Sequence, residues 1–201
     1  MLPSRAILEL AKLARFTHLD SSVPPALCFE FPSAAAEHAP TGATETVGCT
    51  TENPAYAQCS ASSVYASNAI GHSHGKGRLD SDQAWSAQNN AVGQWWQMDL
   101  GSTKSISGVV TQGRTAHNQY VTGYKVKVSS DASTWTDVDG GTTFTANIAA
   151  NNDKVENTFG SAVNGRYVRL MVQTWNGHLS MRAAVITGCA GANSGDDSGL
   201  A

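Results

Sequence analysis

The feature that most constrains the fold is an alternation of apolar and polar residues in three short stretches. They read QWWQMDLG (94–101), YKVKV (124–128) and RYVRLMV (166–172). Side chains on a β-strand point to opposite faces in turn, so each stretch has one core face and one wetter face. This pattern predicts antiparallel, half-exposed strands. The side chains predicted to face inward are Trp96, Met98, Leu100, Tyr124, Val126, Val128, Val168, Leu170 and Val172.

The segments between and after these strands also favour an all-β fold. SSDASTW (129–135) carries Ser and Asp side chains that bond their own backbone, which predicts a hairpin after YKVKV. MRAAVITGC (181–189) is a further strand candidate. Turn signals recur at short intervals from Cys49 onward, with no convincing helix and no internal repeat. They predict a sandwich or barrel rather than a propeller or solenoid.

The chain before Cys49 differs in composition and lacks the strand pattern of the rest. Residues 17–47 mix Pro, Ala and Thr without a sustained period. Charged residues interrupt the opening MLPSRAILELAKLARF, so it lacks the apolar run of a secretory signal peptide. Its apolar residues recur at helical spacing, which leaves a short amphipathic helix or an unstructured tail as alternatives. We expect residues 1–48 to be an extension or linker, 49–189 to be the folded domain and 190–201 to be a Gly/Ser/Asp tail.

Composition narrows the classes of partner. The net charge is −3 and only 14% of residues are charged, so the chain has no basic field to attract nucleic acid. It also has no apolar run near the roughly 20 residues that span a bilayer. Abundant Gly, Ser, Thr and Asn are typical of a loop-rich β protein with an uncharged polar surface.

The cysteines permit several chemistries. The four are Cys28, Cys49, Cys59 and Cys189, with no CxxC pair and no His at zinc-finger spacing. Thiolate metal binding is therefore not expected. An even number of cysteines allows three disulfide pairings, with free thiols as the alternative.

Several segments together resemble one family, the discoidin domain, also called the coagulation factor V and VIII C-type domain. In chain order they are ASSVY (61–65), GRLDSDQAWSA (77–87), QWWQMDLG (94–101), VVTQGR (109–114), YVTGYKVKVSSDASTW (120–135), NGRYVRL (164–170), TWNGHLSMR (174–182) and GC (188–189). The resemblance implies an eight-stranded jelly-roll β-sandwich of the galactose-binding-domain type. Both ends of the domain are expected at one pole and the binding loops at the other.

The resemblance also implies a disulfide and argues against a metal. Such domains commonly join their ends through a disulfide, so Cys189 is expected to pair with Cys49 or, alternatively, Cys59. Cys49 is favoured because the chain after it is long enough to lay an opening strand beside the closing one. Related modules hold calcium with a glutamate in the last strand, where MRAAVITGC has alanine. We therefore expect no calcium, no other metal and no cofactor.

The expected binding loops are residues 65–85, 114–120 and 174–182. By resemblance, Asp82 and Arg114 stand side by side in the binding trench, with a structural ion pair as the alternative role. Aromatic rings stack on sugars while placed polar groups bond the hydroxyls. The full set of candidate ligand-binding residues is Tyr65, His72, His74, Asp82, Arg114, His117, Asn118, Tyr120, Trp175, Asn176 and His178. Trp175 has a core position as its alternative, and the histidines have solvated or metal-binding roles as theirs.

These residues predict a binding module rather than an enzyme. The chain has no GxSxG or HExxH motif, and Asp80 and Asp82 are too close in sequence for opposed acid and base roles. We expect a lectin-like or adhesion module outside the cell or at its surface that binds glycans, glycoproteins or matrix protein. The alternative is phospholipid binding, for which the loop tips offer only Ile70 and Leu179 as apolar residues. The sequence leaves the oligomeric state open.

Overall fold

The described part of the chain is almost entirely β-structure. The structure is a computed structural model that describes residues 48–149 and 152–189. Within these residues the strands are β1 (Thr50–Glu52), β2 (Cys59–Ala61), β3 (Trp85–Ser86), β4 (Trp95–Gln112), β5 (Tyr120–Ser129), β6 (Thr136–Asp137), β7 (Phe144–Thr145), β8 (Val155–Asn176) and β9 (Ser180–Thr187). Short 3-10 helices span Tyr56–Gln58, Tyr65–Ser67 and Val138–Gly141. The predicted N-terminal extension and C-terminal tail lie outside these residues.

Two long strands organise the sandwich. All strand pairs are antiparallel, in the order β1-β9-β4-β8-β5-β6, with β2 added to β4, β3 to β9 and β7 to β5. Strand β4 pairs with β8 over three stretches, because the register shifts between Asp99 and Lys104 and again between Ile106 and Gly108. Such irregularities bend a strand, so one strand serves both packed layers. The all-β sandwich predicted from the sequence is confirmed.

The core contains the side chains that the alternation predicts. All nine predicted inward-facing residues are 8% exposed or less. On the opposite face of β5, Lys125 and Lys127 are half-buried rather than fully solvated, and Lys127 Nζ pairs with Asp137 at 2.7 Å. Their methylene stems lie along the sheet while the charge reaches water. The predicted hairpin is also present, since β5 pairs with β6.

Strand β9 is buried along its whole length. One face, which includes Met181 and Val185, packs into the main core. The other face packs against Leu79 in a second, smaller cluster. A central strand covered on both sides is an apolar run rather than an alternation, which explains why MRAAVIT shows no period of two.

The two ends of the described domain meet at one pole. Cys49 and Cys189 form a disulfide, which confirms the favoured pairing, and Cys59 is a free thiol. Strand β1 lies beside the end of β9, where Thr50 faces Thr187. We call this end of the sandwich, formed by β1 and the disulfide, the disulfide pole. Strand β9 rises about 3.3 Å per residue, so Ser180 lies roughly 23 Å away, at the opposite pole.

No helix within the described ranges has the length and apolar character needed to cross a bilayer.

Candidate functional site

The three predicted loops meet around one cavity at the end of the sandwich opposite the disulfide. We call this end, formed by residues 65–85, 114–120 and 174–182, the loop pole. The cavity has a volume of about 280 Å³. All three loops and strand β3, which contributes Ser86, supply the residues that line it: Tyr65, His74, Ser86, Arg114, His117, Gln119 and His178. The loop-pole cavity therefore confirms the predicted convergence of the loops.

Tyr65 and His74 bring the first loop to the cavity. Tyr65 opens a 3-10 turn in which Ala66 and Ser67 have positive φ angles of 53° and 52°. Few residues other than glycine adopt this conformation, and strain of this kind is often found at functional sites. The Tyr65 ring is 45% exposed and makes an edge contact with His74, with ring centroids 4.9 Å apart. A second edge contact, at 5.6 Å, joins Tyr65 to His178 of the third loop.

A glycine allows the second and third loops to touch. Gly177 has a φ of +62°, and a Cβ atom there would lie 2.7 Å from the carbonyl oxygen of Asn118. Any larger residue would push the loops apart. The same carbonyl accepts a hydrogen bond of 3.0 Å from Asn176 Nδ2. The NG pair in TWNGH thus fixes the position of the loop that carries His178.

Arg114 is the central polar group of the cavity. Its side chain is buried, at 8% exposure. Its Nε donates to Gln83 Oε1 at 2.7 Å, and its Nη1 donates to Gln119 Oε1 at 2.6 Å. A guanidinium carries five N–H donors, so these two bonds leave three for a ligand. Both acceptors are uncharged amides. Burial lowers the pKa of Arg114 from its ordinary value.

A second buried arginine supports the loop that carries the first. Arg182 of β9 is 1% exposed and donates through Nε and Nη2 to the carbonyl oxygen of Gly113, at 2.9 and 2.6 Å. Its Nη1 donates to the carbonyl of Ser81 at 3.0 Å, and Asn152 Oδ1 accepts from both Nη atoms. Because Gly113 precedes Arg114 in the chain, Arg182 holds the backbone from which Arg114 projects.

The expected pairing of Asp82 with Arg114 is wrong in its geometry. Asp82 is an exposed residue whose carboxylate accepts from Lys76 Nζ at 2.9 Å. This hydrogen bond is the main reason that the pKa of Asp82 lies below its usual value. The adjacent residue, Gln83, takes the place at Arg114. Lys76 in the same loop is a more accessible cation than the buried Arg114, and the Asp82 carboxylate pairs with it.

Asp82 belongs to a separate depression, which we call the side cleft. The residues lining it are Asp80, Ser81, Asp82, Thr115, Asn152 and Arg182. Asp80 is engaged there by Lys154 Nζ at 2.8 Å, the first of the contacts that lower its pKa.

The remaining sequence-predicted residues lie around the cavity rather than in its wall. His72 and Asn118 are exposed. Tyr120 begins β5 opposite Asn176 in the β8 pairing. Trp175 is half-buried and packs against the main core, which is the alternative that the sequence offered for it.

Two residues of the wall are absent from the sequence-based set. Ser86 is buried, with its Oγ 2.8 Å from Ser180 Oγ, and Gln119 holds Arg114. Both occur in segments that carry the family resemblance or the site prediction, AWSA and RTAHNQY. Their short or neutral side chains did not indicate a binding role in the sequence. Only the structure identifies them, Gln119 by its bond to Arg114 and Ser86 by its place in the cavity wall.

His74 is the cavity histidine whose protonation the surroundings disfavour when the site is empty. Burial lowers the pKa of His74 from 6.5, and the positive charges of Arg114, His178 and His117 lower it further. His178 Nδ1 donates to the carbonyl of Leu179 at 3.2 Å, which leaves Nε2 as the ring nitrogen that can accept a hydrogen bond. The part of the chain that the structure describes contains no group of three or more His, Cys, Asp or Glu placed to hold a metal ion.

Solved structures with the same fold include a discoidin and a carbohydrate-binding module (CBM). Discoidin II from Dictyostelium discoideum superposes with a TM-score of 0.57 at 23% identity, covering 74% of this chain and 61% of discoidin II. The family 32 CBM of C. perfringens NanJ, solved in complex with galactose, superposes with a TM-score of 0.53 at 19% identity. That match covers 69% of this chain and 98% of the module. At these identities the likeness establishes the fold alone.

Sequence comparison identifies the family. Lactadherin of Mus musculus is 34% identical over 159 residues, which are 74% of this chain and 34% of lactadherin. Discoidin-2 of Dictyostelium discoideum is 30% identical over 105 residues, which are 52% of this chain and 40% of that protein. The chain thus spans about a third of the length of lactadherin. The family model described as F5/8 type C domain matches residues 58–185. The chain therefore belongs to the F5/8 type C, or discoidin, domain family.

Proposed function

We propose that the domain is a non-catalytic carbohydrate-binding module and that the loop-pole cavity is its sugar site. The observation that carries this proposal is the arrangement of an exposed aromatic ring, Tyr65, with unused donors of Arg114 in one cavity. A pyranose has an apolar face suited to an aromatic ring and hydroxyls suited to fixed polar groups. The galactose complex of the C. perfringens module, which has the same fold, supports this proposal.

The cavity wall is better suited to binding than to glycoside hydrolysis. Most glycosidases place two carboxylates on either side of the scissile bond. Among the described residues, the wall includes neither Asp nor Glu. Ser86, its hydroxyl residue, shares a hydrogen bond with Ser180 rather than with a histidine base. We therefore infer a role in recognition.

The residues beside the cavity extend the proposed site. Asn118, Tyr120 and Asn176 lie on the second and third loops, where Asn176 bonds the Asn118 carbonyl. We infer that this rim contacts the sugar units that flank the one in the cavity, with His72 and Asp82 on the outer edge. The disulfide is consistent with action outside the cell or at the cell surface, where such bonds persist.

The second candidate function is contact with a phospholipid membrane. The apolar residues that the sequence offered for it are not available, because Leu179 is fully buried and Ile70 packs against the core. Two others favour it: Val92 is 66% exposed and Ile148 is 83% exposed. Both belong to loops that contact the loop pole, through Asn90 to Gly177 and through Asn152 to Thr115. Exposed apolar tips can enter a lipid interface.

A glycan array measured in parallel with vesicle sedimentation separates the two candidates. We expect the wild-type protein to bind glycans, Arg114→Gln to lose binding at least tenfold, and Arg166→Gln to retain it. Arg166 is a matched control because it pairs with Asp99 on strand β4, away from the cavity. Phospholipid binding would become the favoured function if the wild type bound no glycan on the array but sedimented with phosphatidylserine vesicles. In that case Val92→Ser/Ile148→Ser should no longer sediment with the vesicles. Equal glycan binding by the wild type, Arg114→Gln and Arg166→Gln would refute the loop-pole cavity as the sugar site.

A further inference from the structure

The loop-pole cavity has an unbalanced charge. Arg114 and three histidines line it, and its described wall has no carboxylate. The acidic residues of the first loop, Asp80 and Asp82, are turned into the side cleft, where Lys154 and Lys76 hold them. The empty cavity therefore has a net positive charge at neutral pH, which comes from Arg114.

The environment of Arg114 differs from that of Arg166 and Arg182. Arg166 forms two hydrogen bonds with Asp99, at 2.7 and 2.8 Å, and these raise its pKa. Arg182 is buried like Arg114, but it is bonded by backbone carbonyls and lies in the field of Asp80. Arg114 has only two amide oxygens as hydrogen-bond partners among the described residues. A buried charge is costly unless a counter-charge balances it.

The chemistry of the missing partner follows from the shape of the guanidinium. Its planar fork of N–H groups matches two oxygens of a carboxylate or a sulfate better than it matches a single hydroxyl. Both hydrogen atoms on Nη2 of Arg114 are unused by the described protein. An anionic oxygen pair placed there would balance the charge and complete the hydrogen bonding.

We propose that the sugar held in the loop-pole cavity carries an acidic group, a carboxylate or a sulfate, that pairs with Arg114, and that binding strengthens as the pH falls. The inference rests on the proposed sugar-binding function and deepens it. Tyr65 and Ser86 then contact the uncharged part of the same sugar.

The pH dependence comes from His74. The groups that face His74 are Tyr65 from the 3-10 turn, Arg114 and His117 from the second loop, and His178 from the third. In the empty site, burial and these positive charges hold the His74 pKa below 6.5. A bound anion favours the protonated form of His74 and so raises its pKa. Affinity therefore rises as the pH falls through the His74 pKa of the occupied site, and it levels off below the His74 pKa of the empty site.

Titration calorimetry with three probes of equal length tests the inference: a neutral galacto-oligosaccharide, an oligogalacturonate and a sulfated galacto-oligosaccharide. The protein is the full chain, in 0.15 M salt at pH 5.5 and pH 7.5. We expect at least one acidic probe to bind tenfold more tightly than the neutral probe, and more tightly at pH 5.5. The carboxylate and sulfate arms identify which anion fits. Arg114→Gln should abolish the preference, whereas Arg166→Gln should keep it.

The possible failures are distinguishable. Neutral and acidic probes that bind equally would overturn the acidic-sugar inference and leave the sugar-binding proposal in place. A preference for acid lost equally in Arg114→Gln and Arg166→Gln would also overturn it, because general charge would then be the cause. Absence of binding by every probe, together with a silent glycan array, would refute both. The variant His74→Gln, checked for folding by thermal denaturation, should retain the acidic preference but lose part of the pH dependence.

Discussion

The two poles of this sandwich are held in place by different means. At the disulfide pole, the Cys49–Cys189 bond and the pairing of β1 with β9 join the ends of the domain. At the loop pole, Arg182 joins segments of two loops through the carbonyls of Gly113 and Ser81. The covalent pole is closed, whereas the hydrogen-bonded pole leaves Arg114 with unused donors. The comparison teaches that two different arginines serve the loop pole. Arg182 holds the loops in position, and Arg114 provides the donors available to a ligand.

Removal of the disulfide should have the largest effect on stability and little effect on the site. Cys49 and Cys189 are separated by 140 residues, and loop entropy assigns such a cross-link about 5 kcal/mol. We expect Cys49→Ser/Cys189→Ser to lower the free energy of unfolding in urea by a similar amount. Glycan affinity should stay unchanged where the variant is folded. Cys59→Ser, which keeps the disulfide, is the control, and a parallel loss of affinity would mean that the poles are coupled.

Replacement of Arg182 should affect stability and binding together. Arg182→Met leaves the carbonyls of Gly113 and Ser81 buried without their donor, at a cost of about 1–3 kcal/mol each. We expect a fall of about 3 kcal/mol in unfolding free energy and weaker glycan binding, because the backbone before Arg114 loses its support. Urea denaturation and calorimetry measure the two effects. A variant with normal stability would show that Arg182 is not the support of this pole.

Replacement of Arg114, unlike that of Arg182, should weaken glycan binding with little effect on stability. Its side-chain partners are two glutamines beside a cavity, which water can satisfy. We expect Arg114→Gln to change unfolding free energy by less than about 1 kcal/mol. Glycan affinity should fall at least tenfold, about 1.4 kcal/mol. Destabilisation as large as that of Arg182→Met would assign both arginines a structural role.

The smallest expected effect is a pH dependence of stability confined to the loop pole. The folded-state pKa of His74 is depressed below 6.5. Its contribution is fully present above the unfolded pKa and is lost as the pH falls through the folded pKa, because the unfolded chain binds the proton first. Thermal denaturation of the empty protein from pH 8 to pH 5 should be flatter in His74→Gln. An identical dependence of melting temperature on pH in the wild type and His74→Gln would exclude His74 as the source of the pH dependence.

The fold was predictable because its signals are local and repeated. Alternation of side chains fixed the core face of each long strand, and the Ser and Asp residues of SSDASTW marked the hairpin. The family resemblance supplied the disulfide pairing and the convergence of the loops. Each of these depends on a period, a turn or the order of segments, which the sequence displays directly.

The partners within the site were not predictable in the same way. Asp82 and Gln83 are adjacent, and which of them faces Arg114 depends on Lys76, which pulls the carboxylate outward. Arg182 gave no separate signal, because its role is to bond backbone carbonyls that no sequence pattern marks. Loop contacts of this kind follow from three-dimensional packing rather than from spacing along the chain.

The half-buried Cys59 thiol has a consequence for how the domain matures. Burial raises its pKa to about 12. Disulfide exchange proceeds through the thiolate, which at pH 7 is then about one molecule in 10⁵. Once strand β2 has paired with β4, Cys59 is therefore almost inert as an attacking group. The packing of Cys59 therefore disfavours its attack on the Cys49–Cys189 bond.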